Sequence, residues 1–271
     1  MRRLWIPLVL LAMLPGTAFA QEAEKPQKKD LYDEDADATQ QIAEAVAKAG
    51  RDERRVLIQW GADWCGWCHL LSGTFEKDPK VRQKLLYEYE HIHVDVDRKE
   101  HLEVAEKYGA KFKDDGVPYL TILDSKGDVV TNAETAQFEV KEEGVSAHDP
   151  ALLLDFLTKH QAKYPKAQAL LDKALADAKE SNRRVFLTFG APWCGWCHRL
   201  EDWMYSAPVH DLLGKDFVLL KIDTERTEGG QAMLDEMRQG ASGGIPWFVF
   251  LEPDGTVVTN SNGPNGNLGC P

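Results

Sequence analysis

Trp64-Cys65-Gly66-Trp67-Cys68-His69 returns letter for letter as Trp193-Cys194-Gly195-Trp196-Cys197-His198. Four of the chain's five cysteines lie in these two copies. Two thiols separated by two residues can cycle between dithiol and disulfide, so the motif reads first as a redox centre. The same letters contain Cys-x-x-Cys-His, the attachment signal for c-type haem. What surrounds each copy must separate the two chemistries.

The likeness extends outward from the cysteines. Arg54-Arg55-Val56 is echoed 129 residues later by Arg183-Arg184-Val185. Gly116-Val117-Pro118-Tyr119 returns as Gly244-Ile245-Pro246-Trp247 at an offset of 128, and Val129-Val130-Thr131-Asn132 as Val257-Val258-Thr259-Asn260 at the same offset. Markers that keep their order over a span of about 80 residues define a repeated domain, not a short solenoid unit.

Each copy alternates helix and strand signals. In the first, residues 40–49 read as a helix, and Val56-Leu57-Ile58-Gln59-Trp60 is a short apolar run that suits a buried strand. Cys68, Leu71 and Phe75 recur at helical spacing, as do Cys197, Leu200 and Met204, and each stripe reads as core. Residues 91–97 alternate as a strand, and residues 119–123 with Val129-Val130 read as a hairpin. Residues 151–160 form a closing helix, and residues 167–179 open the second copy. Strands separated by helices predict an α/β fold, here two tandem domains, each a mixed central sheet flanked by helices. The expected organisation is a first domain over 37–160, a linker at 161–166 and a second domain over 167–271. After Asn260 the second copy has only a Gly-, Asn- and Pro-rich stretch, so it is expected to lack the closing helix, either because the second domain is truncated or because something else covers one face of its sheet.

Residues 1–20 read as a signal peptide. Arg2 and Arg3 are followed by an apolar run too short to span a bilayer, then by Ala18-Phe19-Ala20, a small-residue cleavage site. Residues 21–36 are polar and charged and read as a disordered tail. Export implies an oxidising compartment, periplasmic or extracellular, yet the cysteines are few and closely paired. That favours catalytic or cofactor-binding thiols over a disulfide scaffold. The net charge is −12 and becomes more negative once residues 1–20, with two arginines and no acid, are removed. Such a surface repels phosphate backbones and excludes nucleic acid as a partner.

In each copy the first cysteine falls where an apolar strand gives way to a helix. A helix N-terminus presents unpaired N–H groups and partial positive charge, which stabilise a thiolate at Cys65 and Cys194. Thiol pKa values in such settings fall from about 8.5 towards 7. Cys68 and Cys197, one turn on, can reach back to close a ring and are assigned as resolving thiols. A structural disulfide has the same spacing, as would a haem site.

These residues resemble the thioredoxin superfamily, over nearly all of 37–160 and most of 167–260. The matching features are the strand before the motif, Trp-Cys-Gly-x-Cys, the helix after it, and Val-Pro or Ile-Pro opening a later strand. The resemblance implies a protein-disulfide oxidoreductase with catalytic Cys65, Cys68, Cys194 and Cys197, and with no cofactor or metal. It also implies that Pro118 and Pro246 are cis and sit opposite the disulfides, where Val117 and Ile245 bind substrate peptide. Trp64 and Trp193 would form a docking rim or would pack. Trp67, His69, Trp196 and His198 would tune the redox potential, or the histidines would simply face solvent. Thioredoxin has a buried Asp six residues before its first cysteine; Gln59 and Thr188 stand there, leaving the proton acceptor unassigned. Reductase, oxidase and isomerase directions all fit. Partners implied are protein thiols and disulfides of exported proteins, with a membrane or soluble electron donor. The alternatives carried beside this reading are an exported c-type haem protein and a non-catalytic binding or chaperone module, with zinc held by the four cysteines behind them. Cys270 is unassigned between cross-linking and no role.

Overall fold

Within the first copy the chain runs α1 (Ala38–Arg51), β1 (Arg55–Gly61), α2 (Gly66–Lys77), α3 (Pro79–Glu88), β2 (Tyr89–Asp95), α4 (Lys99–Lys107), the single turn α5 (Phe112–Asp115), β3 (Tyr119–Leu123), β4 (Val129–Glu134) and α6 (Pro150–His160). The second runs α7 (Ala167–Ser181), β5 (Arg184–Gly190), α8 (Gly195–Met204), α9 (Ala207–Asp216), β6 (Phe217–Asp223), α10 (Gly230–Arg238), β7 (Trp247–Leu251) and β8 (Val257–Asn260). A small hairpin, β9 (Asn262–Gly263) with β10 (Gly266–Asn267), follows. This computed structural model describes residues 30–241, 243–263 and 266–268. The signal peptide, most of the predicted tail, and Cys270 lie outside the described residues.

The two sheets share one topology, β2-β1-β3-β4 and β6-β5-β7-β8. β1 runs parallel to β2 and antiparallel to β3; β5 does the same with β6 and β7. The register is the same in both, Arg55 facing Tyr89 and Arg184 facing Phe217. Each domain is thus a mixed four-stranded sheet flanked by helices, as the alternation of signals predicts.

Strand periodicity explains the two layers of core. Val56, Ile58 and Trp60 join Ile42 of α1 and Val104 of α4 on one face. Leu57 points the other way, with Leu71 and Phe75 of α2 and Leu153 and Leu157 of α6. In the second domain Val185, Leu187 and Phe189 repeat the first layer. Its opposite face carries the contacting rings of Phe186, Phe217, Phe248 and Phe250, of which Phe186 is buried and the other three are half-buried. Among the described residues no helix follows β8.

Residues 31–36 depart from the disordered tail read in the sequence. Tyr32 is 3% exposed, its hydroxyl accepts from Gln59 Nε2 at 2.8 Å, and the Leu31 amide donates to Asp63 at 2.8 Å. One aromatic ring among acidic residues carries no periodic signal, but the buried area it gains outweighs the polarity around it.

The two domains belong to one compact unit that begins at Leu31. Between them lies Arg226, 1% exposed. Its guanidinium donates to the carbonyls of Asp52 and Glu53 at 2.6 and 3.2 Å and to Glu88 at 3.2 Å. Tyr164, just before α7, donates its hydroxyl to the same Glu88 at 2.6 Å.

Candidate active sites

Cys65 is the N-cap of α2, and Cys194 is the N-cap of α8. In each, the sulfur accepts from the backbone N–H of the second cysteine at 3.1 Å. The caps are set by tight turns from the preceding strand, Cys65 N to Ala62 O and Cys194 N to Ala191 O, both 3.0 Å. Each pair is bonded, with Cα atoms 5.3 Å apart in the first site and 5.2 Å in the second. Cys65 and Cys194 are slightly more exposed (5% and 4%) than Cys68 and Cys197 (0% and 2%). The order matches an attacking and a resolving thiol.

Close approach to the second cysteine requires glycine at the end of the strand. A Cβ on Gly61 would collide with Cys68 Sγ and Tyr32 Oη, and one on Gly190 would sit 3.3 Å from Cys197 Sγ. The opposite wall is the proline turn. Both Val117-Pro118 and Ile245-Pro246 are cis, and the carbonyls of Val117 and Ile245 stand 3.5 and 3.7 Å from the sulfurs of Cys65 and Cys194. The structure therefore brings Val117 and Pro118 to the first site and Ile245 and Pro246 to the second, although each pair is some fifty residues from its cysteines.

The tryptophans divide. Trp64 and Trp193 are 68% and 55% exposed, so they do not pack in the core. Each indole N–H is anchored by an acid from the loop after the neighbouring strand, Asp97 for Trp64 and Glu225 for Trp193. Trp67 is half-buried with its ring edge-on to His148 at 5.4 Å. Trp196 is exposed beneath the Arg199 guanidinium. Both histidines are half-buried. His69 Nε2 lies 2.8 Å from the Asp63 carbonyl and His198 Nε2 2.9 Å from the Pro192 carbonyl. Each ring ties the loop before the motif to the helix after it. The Glu201 carboxylate, 3.6 Å from His198 Nδ1, raises the pKa of His198 despite partial burial.

Behind the second cysteine each domain has a polar chamber, and the two are built differently. In the first, Gln59 Nε2 lies within 3.3 Å of the Tyr32 hydroxyl, the Cys68 carbonyl and Ser72 Oγ. Ser72 Oγ also lies 3.2 Å from His93 Nε2. Burial pushes His93 down to about 4 and raises the Tyr32 phenol, so the chamber is neutral. In the second, Thr188 replaces Gln59, Glu201 replaces Ser72, and Lys221 takes the ladder position of His93. Lys221 Nζ bridges Glu201 at 2.6 Å and Asp52 of the first domain at 2.7 Å. Burial alone would lower the Lys221 pKa, but the two carboxylates outweigh it and raise it. Gln59 and Thr188 are visible in the sequence as replacements for an acid. Glu201, Lys221, Asp52, Tyr32 and Ser72 are not, because their convergence depends on register and on the packing of one domain against the other.

A family model described as Thioredoxin-like matches residues 37–125 and again 166–253. The chain is 28% identical over 229 residues to protein disulfide-isomerase tigA of Aspergillus niger, covering 79% of this chain and 55% of that one. Against protein disulfide-isomerase erp38 of Neurospora crassa it is 23% identical over 263 residues, 94% of this chain and 63% of that one. It thus spans just over half to under two thirds of the length of these curated relatives. Over 91 residues it is 32% identical to the thiol:disulfide interchange protein DsbD of Vibrio vulnificus, which is 34% of this chain and 15% of that one. Among solved structures, disulphide isomerase from Xylella fastidiosa Temecula1 aligns with a TM-score of 0.39 and 26% identity, over 47% of this chain and 94% of that one. With the family pattern matched once in each half, the chain belongs to the thioredoxin-like family.

Proposed function

We propose that this chain is a protein thiol–disulfide oxidoreductase with two dithiol/disulfide sites, acting on exposed cysteines of exported proteins. One observation carries the reading: in both domains a bonded cysteine pair caps a helix beneath the carbonyl that precedes a cis-proline. The helix N-terminus stabilises Cys65 or Cys194 as a thiolate once the pair is reduced. That thiolate attacks a substrate disulfide, forming a mixed disulfide and releasing one substrate thiol. Cys68 or Cys197 then attacks its partner sulfur, re-forms the ring and frees the second substrate thiol. Run backwards, the same steps oxidise a substrate dithiol.

The open edge around Val117 and Ile245 and the anchored, exposed Trp64 and Trp193 supply a backbone and an apolar rim for substrate peptide. Trp67, His69, Trp196 and His198 surround the pairs and tune them. The relatives named as disulfide isomerases and as an interchange protein support this chemistry. Against haem, the histidine that would ligate iron is committed to a backbone carbonyl in both motifs. We take residues 37–160 and 167–271 as the two domains, joined by 161–166, with residues 1–20 removed on export. Among the described residues no helix is long and apolar enough to cross a membrane.

Reduction of insulin disulfides by the dithiol form tests the proposal. Cys65→Ala and Cys194→Ala should each remove one site's share, and the double variant should fall to the uncatalysed rate. Retention of turnover by the double variant would overturn the assignment.

A further inference from the structure

Cys197 and Glu201 are four residues apart on α8, which places them on one face of the helix, a turn apart. Both border the backbone of Gly190 at the end of β5. A single point in space, the position of a Cβ on that residue, is 3.3 Å from Cys197 Sγ and 3.7 Å from Glu201 Oε1. Glu201 is 14% exposed at its side chain and Lys221 is 9% exposed. A carboxylate so placed would ordinarily suffer from burial, and Lys221 offsets that cost. Lys221 is in turn fixed by Asp52, whose own pKa burial would raise but which Lys221 and Arg54 draw below the usual carboxylate range. The corresponding residue of the first site, Ser72, carries no charge.

We propose that Glu201 is the base that takes the proton from the Cys197 thiol during resolution, and that Asp52 of the first domain positions it through Lys221. The inference rests on the oxidoreductase reading above. In the mixed disulfide, Cys194 is bonded to the substrate sulfur and Cys197 is a thiol. Cys197 passes its proton to the Glu201 carboxylate and attacks Cys194 Sγ. The Cys194–Cys197 bond forms and the Cys194–substrate bond breaks, the electron pair leaving with the substrate sulfur. The Cys197 sulfur is oxidised and the substrate sulfur reduced. The proton moves from Glu201 through water to the departing thiolate or to solvent. A cleft of about 300 Å³ between the domains, lined by Arg51, Asp52, Arg54, His198 and Glu201 among others, gives that water its path. The charged and titratable groups that face Glu201 are Lys221 from β6, His198 from its own helix, Asp52 and Arg51 from the end of α1, and Tyr205 past the end of α8.

The test uses the full chain with Cys65→Ser, Cys68→Ser and Cys270→Ser, which leaves Cys194 and Cys197 as the two remaining thiols, reduced and mixed with 5,5′-dithiobis(2-nitrobenzoate). Attack by Cys194 releases one chromophoric thiolate, and resolution by Cys197 releases a second, so the two steps are read separately. In this parent both releases are expected. Glu201→Gln should leave the first release within about twofold and slow the second by at least tenfold at pH 7, in the range of a lost general base. Its rate should then climb tenfold per pH unit as the unassisted thiol ionises. Glu201→Asp should restore part of the rate, and Asp52→Asn should give a smaller slowing with the first release intact. An unchanged second release in Glu201→Gln, or equal slowing of both releases, would overturn the role of Glu201. A parent that shows no second release would instead overturn the oxidoreductase reading for this site, and the inference with it.

Discussion

The two disulfides share a frame but not a backing. The first is closed from behind by residues of its own domain and its N-terminal segment: Gln59, Ser72, His93 and Tyr32, all neutral. Behind the second are Glu201 and Lys221, and Asp52 from the other domain completes the set. What both sites keep is backbone geometry: the N-cap, the glycine at the strand end and the carbonyl before the cis-proline. What differs is side-chain chemistry one layer deeper. In a duplicated domain, then, the reacting pair is held by the fold, and proton handling is free to diverge. The sheet faces differ likewise. α6 covers Leu57, Leu120 and Ile122 in the first domain, and half-buried phenylalanines occupy that face in the second.

The hardest way to break this comparison is to loosen the contact that lends Asp52 to the second site. Arg226→Ala removes three hydrogen bonds and leaves Glu88 buried with only the Tyr164 hydroxyl. Breaking one side of a buried ion pair costs about 3–5 kcal/mol. Urea unfolding should show that loss, and the reduction potential of Cys194–Cys197 should move while that of Cys65–Cys68 holds. Equal shifts at both sites would mean the second chamber does not depend on the first domain.

That dependence also marks the limit of what the sequence discloses. The cysteine motifs, the proline turns and the 128–129-residue offset announce two copies of one fold, because each is a local pattern repeated. The boundaries of β2 shift by two residues from the alternation at 91–97, since the ladder with β1 starts at Tyr89. Arg226 and Asp52 are 174 residues apart and nothing periodic links them. Tyr32 sits in a run of acids that reads as tail. Glu201 lies one helical turn past Cys197, where serine stands in the first copy, but no local pattern shows that Lys221 and Asp52 converge there.

A second test sharpens the contrast through acid. Burial holds His91 down to about 3, an effect that neighbouring His93 adds to, and holds His93 and His148 down to about 4. All three belong to the first domain. These groups take up protons on unfolding near pH 6.5 but not when folded. The stability they provide is therefore complete above about pH 6.5 and is lost as pH falls towards 4, at about 1.4 kcal/mol per pH unit for each histidine. His198 runs the other way. Its folded pKa is raised, so its contribution is full below about pH 6.5 and disappears as pH rises through the folded value. The equivalent Asp95 and Asp223 are both raised by burial, so they shift in the same direction in the two domains. Hydrogen exchange at pH 5.5 against pH 7 should show β1–β3 losing protection relative to β5–β7. A uniform change across both sheets would remove the distinction.

The smallest effect is the most local. Tyr32→Phe keeps the ring against His93 but deletes the hydroxyl that accepts from Gln59. Gln59 retains the Cys68 carbonyl and Ser72 as partners, so the loss should be about 0.5–1.5 kcal/mol, the net worth of one hydrogen bond. The more telling readout is redox. Tyr32 Oη and Cys68 Sγ crowd the same point beside Gly61, so in the reduced protein this hydroxyl is the donor placed to hydrogen-bond the Cys68 sulfur. Without it the reduced form is disfavoured, and the Cys65–Cys68 potential should fall while Cys194–Cys197 keeps its value. Unchanged potentials at both sites would reduce Tyr32 to a packing residue, and the first chamber would then differ from the second only in lacking charge.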